Sequence, residues 1–133
     1  MPKLTREQYN KWNAKATNGF SFDIQDYVFR GEKTLTRRIP IDEDHYTELH
    51  LMYRDEYITK TNEHGCRWNV TTGRQIPTLH VSKWTRGLSG EVYTSSGMGD
   101  WITVGEPQTS KKYDVLCKIA ETIDASKYER KVA

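Results

Sequence analysis

His64, Gly65 and Cys66 stand together in this chain, and a thiolate beside an imidazole is how a cysteine nucleophile is activated. Nucleophile and base are usually brought together from distant parts of a chain, however, and here a single glycine separates them inside the turn-forming run Asn62-Glu63-His64-Gly65. A turn histidine beside a buried cysteine is the better reading. The other histidines, His45, His50 and His80, fall on predicted strands without a second ligand at metal spacing, and neither His-Glu-x-x-His nor Cys-x-x-Cys occurs. The spacing therefore predicts no metal site and no cofactor. Asp42, Glu43, Asp44, Asp55 and Glu56 could do general acid–base work if their surroundings pushed their pKa values apart. They lie in predicted turns flanked by basic residues, where solvation is the ordinary outcome. Gly97-Met98-Gly99-Asp100 has the glycines of a phosphate loop but no following helix whose amides would hold a phosphate, so it reads as a hairpin turn. An enzyme is not expected.

One segment points to binding instead. Arg67, Arg74, Lys83 and Arg86 are interleaved with Trp68 and Trp84, and Glu63 is the single acid between residues 61 and 90. Basic residues beside stacking rings are what a single-stranded nucleic acid needs, and aromatics with arginines are also the residue types enriched at protein interfaces. His80, Ser82 and Trp84 share one strand face by alternation, which sets Trp84 among polar neighbours. The candidate binding surface is Arg67, Arg74, His80, Lys83, Trp84 and Arg86.

The elements that must position these residues begin with a helix. Thr5 and Gln8 form a capping box, Leu4 and Tyr9 a hydrophobic staple, and Tyr9, Trp12 and Ala16 share a face up to Asn18-Gly19, which predicts a helix over Arg6–Thr17. Phe20, Phe22 and Ile24 alternate with polar residues, while Tyr27 and Phe29 are out of phase, which predicts a strand bulged near Gln25-Asp26. Leu35, Ile39 and Ile41 give an edge strand limited by Pro40, and Leu49, Leu51 and Tyr53 a well-patterned one. Tyr57–Thr61 continues it past a bulge at Asp55-Glu56, and Cys66, Trp68 and Val70 give the next buried face. Gln75–Gly105 reads as a three-strand antiparallel meander, with Gly87 and Gly90 framing its first turn and Gly97 and Gly99 its second. Pro107 stops the sheet, and Tyr113, Leu116, Ala120 and Ile123 predict a second helix over Lys111–Asp124.

The expected fold is α+β: a single domain over residues 1–133, an antiparallel meander with an N-terminal and a C-terminal helix packed on the sheet, and a loose tail from about residue 125. A chain of 133 residues can bury a core without staples, and its 15 aromatic residues must supply much of that core. Two cysteines in an apparently intracellular chain are expected to be free thiols. No apolar run approaches a membrane span, no signal-peptide pattern opens the chain, and a net charge of +2 does not demand an anionic partner. A cytoplasmic protein of a bacterial or phage-infected cell is expected. In size, α+β organisation and scarcity of motifs the chain resembles the small accessory and anti-defence proteins of phages and conjugative elements. That resemblance implies an inhibitor or accessory factor.

Three readings stand. The first is a non-enzymatic binding protein that occupies a surface of a macromolecular partner, most simply a protein. The second is a single-stranded nucleic-acid-binding module using the basic and aromatic sheet face. The third is a small enzyme centred on Cys66, His64 or the turn acids.

Overall fold

The structure, a computed structural model, describes residues 3–86, 93–95 and 99–129. Helix α1 spans Arg6–Asn13, and its capping box forms as the spacing predicts, with the Thr5 hydroxyl accepting from Gln8 N–H and the Gln8 carboxamide accepting from Thr5 N–H. It stops a turn earlier than Thr17. After Asn13 the backbone tightens into Lys15 N–H to Trp12 O and Ala16 N–H to Asn13 O, before Asn18 and Gly19 adopt positive φ.

Strand β1 is only Ser21–Phe22, and residues 24–30, expected as a bulged strand, form helix α2, Ile24–Arg30. The phase slip that suggested a bulge is the change from a period of two to one of 3.6. Asp23 caps the helix by accepting from Asp26 N–H at 2.9 Å, and Gly31 ends it at φ 72°.

Strands β2 (Leu35–Pro40), β3 (His45–Thr61) and β4 (Arg67–Arg86) continue the antiparallel sheet, joined by β5 (Tyr93–Ser95) and β6 (Asp100–Thr103). The order is β1-β2-β3-β4-β5, and β6 also pairs with β4. The antiparallel meander forms, but the third strand expected within Gln75–Gly105 sits elsewhere. β6 does not close on β5: both lie along the same edge of β4, β5 opposite Trp84–Arg86 and β6 opposite Thr78–Val81. Gly99 lies where they meet, at φ 73°, with a side chain there barred by the Val81 carbonyl. The turn assigned to Gly87 and Gly90 lies outside the described residues, as does Gly97.

Register settles which face is buried. Phe22, Leu35, Leu51, Leu79 and Ile102 form one row across the sheet, and this face packs on helix α3, Tyr113–Thr122, through Tyr113, Leu116, Cys117 and Ala120. Tyr9 and Trp12 of α1 close the same core, with Trp12 packed on Phe22 and Tyr27. Burying such rings and branched chains supplies about 1.5–3 kcal/mol each, before ordering costs. Past α3, where a loose tail was expected, Ala125–Tyr128 forms a 3-10 turn capped by Asp124, and Ala125 is buried in the core. The architecture is α+β in one domain.

Among the described residues, the β3–β4 pair runs on alone beyond Asp55 and Gln75. A register shift between Asp55 and Tyr57 marks the start of an arm that pairs Tyr57–Thr61 with Arg67–Thr71. Asn62 shapes its tip by accepting from His64 and Cys66 N–H, each at 2.9 Å.

Candidate functional site

On the face opposite the core, a second row runs Ser21, Thr36, His50, His80, Trp101. His80 stacks on Trp101 with ring centroids 4.0 Å apart, and the Arg54 guanidinium lies 4.3 Å over the Trp101 ring. Along the strands from this row, Tyr46 and Trp84 stack in near-parallel planes, with Arg38 lying 4.9 Å over Tyr46. Cations over ring faces are attracted by the ring quadrupole. His80, Ser82 and Trp84 thus share a face as their alternation predicts, and Trp84, half-buried, donates from its indole N–H to the Ser82 hydroxyl.

The basic residues of the predicted surface are not all gathered with them. Arg67 and Arg86 are the two ends of β4, roughly 60 Å apart along a strand rising about 3.3 Å per residue. Arg67 lies at the arm's end opposite Thr61, and Arg74 pairs with Glu56 at 2.7 Å. The Thr72 hydroxyl, donating to Glu56, together with Arg74 holds that carboxyl below its usual range despite some desolvation. Lys83 falls on the opposite face from Trp84, across from Thr47, while Arg86 N–H donates to the Asp44 carbonyl. One strand carries all six residues, but spread along its length and over both of its faces.

The arm presents what the sequence reading placed inside. Ile58 faces Val70 and Lys60 faces Trp68 across the pair, so Ile58, Val70 and Trp68 share a side. Ile58 is 47% exposed, Trp68 46% and, on the other side, Tyr57 56%. Cys66, expected to be buried, is exposed at the tip, and the His64 ring beside it lies 3.5 Å from the Glu63 carboxylate. Strand alternation was read correctly there. No layer lies over the arm among the described residues, so alternation does not become burial.

A polar cluster that the sequence reading missed lies where α2 meets the second face. His50 Nε2 is 3.2 Å from Asp26 Oδ2, 3.5 Å from Asp23 Oδ2 and 3.0 Å from Thr34 Oγ1. Thr34 donates to Asp26 Oδ2 at 2.6 Å, and Arg30 holds the other Asp26 oxygen at 3.1 Å. Burial alone would raise the Asp26 pKa, but the hydrogen bonds of His50 and Thr34 and the charges of His50 and Arg30 outweigh it and hold this carboxyl below its usual range. The group opens on a cleft of about 300 Å³ lined also by Gln25, Phe29 and Glu48. Only the Asp-x-x-Asp spacing of a helix start, Asp23 to Asp26, could have pointed to it, and a strand assignment hid that signal. Cys117 lies in the core with its thiol pKa raised by burial. No known protein family matches the chain, and no curated protein or solved structure does either.

Proposed function

We propose that the protein is a non-enzymatic binding protein whose arm docks on a protein partner. The observation that carries this reading is the two-stranded arm with Tyr57, Ile58 and Trp68 exposed on it. A two-stranded ribbon is marginal by itself in water, and exposed apolar rings on it are stabilised by a surface that covers them. Charge argues for protein over nucleic acid. Residues 55–75 hold Asp55, Glu56 and Glu63 against Lys60, Arg67 and Arg74, so the arm has no net positive charge with which to release counterions. The aromatic sheet face already sets Arg38 on Tyr46 and Arg54 on Trp101. A phage or mobile-element inhibitor or accessory factor, acting by occupying its target's surface, is the form this function takes.

The test is capture of a partner from a lysate of the source cells by the immobilised protein and by its Ile58→Ser/Trp68→Ser variant. The reading expects a partner lost with the variant, retained after nuclease treatment, and bound with a shallow dependence on salt. Capture that is indifferent to the variant, or a steep salt dependence with any mixed-sequence oligonucleotide, would overturn it and favour the nucleic-acid reading.

A further inference from the structure

The Asp23, Asp26 and His50 side chains bring three atoms of metal-ligating type together from separate elements. Asp23 and Asp26 come from α2 and its cap, His50 from the middle of β3, and one ligand atom of each lies within 4.8 Å of the other two. Two of the three separations are 3.2 and 3.5 Å. The edge of a tetrahedron with bonds of about 2.0–2.1 Å, those of zinc to nitrogen and oxygen, is about 3.3 Å.

The carboxylate oxygens turned away from His50 are held from outside: Asp23 Oδ1 accepts the Asp26 N–H and Arg30 takes Asp26 Oδ1. The Thr34 hydroxyl donates to Asp26 Oδ2, itself the ligating oxygen, and lies 3.0 Å from His50 Nε2. Outer partners of this kind fix ligand orientation in metal sites and leave the inner atoms converging on one point. The point faces the cleft beside Glu48, and three protein ligands plus an open position are the pattern of a site that keeps a solvent molecule. From this geometry we propose that Asp23, Asp26 and His50 bind one divalent transition cation, zinc by preference, clamping α2 to the sheet. One imidazole with two carboxylates suits zinc and its first-row neighbours, whereas the all-oxygen sets of calcium and magnesium are not matched. His45 with Asp42 and His64 with Glu63 are two-donor pairs and offer weaker alternatives.

The experiment is a calorimetric titration of the chelator-treated full chain with zinc chloride at neutral pH, and with cobalt chloride followed by absorbance. One saturable ion per chain is expected, raising the melting midpoint by several degrees. Asp23→Asn is the first variant, because asparagine caps a helix as well as aspartate does and so spares the fold. It should weaken binding by at least about tenfold. His50→Gln is the second variant and should weaken it at least as much. No saturable binding, binding unchanged in both variants, or an intense near-ultraviolet thiolate band with cobalt, which would place the ion at Cys66, would each overturn the proposal.

Discussion

Replacing Asp26 by alanine removes three contacts at once: the ion pair to Arg30 at 3.1 Å, the hydrogen bond from Thr34 at 2.6 Å and the contact to His50 at 3.2 Å. Hydrogen bonds to a charged group contribute about 1.5–3 kcal/mol each. They do not add fully here. Thr34 and His50 keep each other at 3.0 Å, His50 keeps Asp23 at 3.5 Å, and Arg30 is half exposed with Glu32 3.0 Å away. The expected loss at neutral pH is therefore about 3 kcal/mol, enough to lower the melting midpoint by roughly 10 °C in a chain of this size. The pH dependence has a definite sign. Asp26 has a folded pKa below its ordinary 3.8, so its contribution is fully present above the ordinary value and fades as pH falls through the folded one. Urea unfolding of wild type and Asp26→Ala at pH 7 and pH 3 measures both claims. The gap should be full at pH 7 and narrower at pH 3. A gap below about 1 kcal/mol at pH 7, or one equal at the two pH values, would refute the idea that this carboxylate anchors α2 on the sheet.

The core and the thiols supply further checks. Leu116→Ala, at a fully buried position in the same core cluster as Leu51, should cost about 2–5 kcal/mol in urea unfolding. Gly99→Ala would set a methyl 2.5 Å from the Val81 carbonyl oxygen at φ 73°, and should speed amide exchange at Trp101 and Ile102 as β6 loosens. Cys66, exposed, should react with a thiol reagent in the native protein, whereas Cys117, whose thiol pKa is raised by burial, should react only on unfolding. Cys66→Ser and His64→Ala should leave stability within about 0.5 kcal/mol, since both side chains are exposed at the arm's tip.

What the sequence disclosed depended on how local the determining physics was. The capping box at Thr5 and the stripe Tyr113, Leu116 and Ala120 are local patterns, and both helices form near their expected ranges. The alternation from Leu49 to Tyr53 and from Leu79 to Val81 named core residues correctly, because a single buried face imposes a period of two. Ile24–Arg30 was misread because seven residues are too few to separate a short helix from a bulged strand by periodicity. The triad was invisible for the same reason. His50 meets its aspartates only once β3 and α2 are packed together, and no spacing along the chain records that. Arg67 and Arg86 illustrate the converse: neighbours in composition, they become distant when their segment extends as a single long strand. Exposure of Trp68 likewise depends on what lies over the arm, which alternation within the strand does not encode.

The arm's role can be read most directly by cross-linking from its tip. Cys66 is exposed and Cys117 buried, so a thiol-directed photocross-linker labels Cys66 alone in the native protein. Illumination in a lysate of the source cells should give a discrete protein adduct that survives nuclease and is lost from the Ile58→Ser/Trp68→Ser variant. An adduct that nuclease removes, or one formed equally well by the variant, would contradict the account.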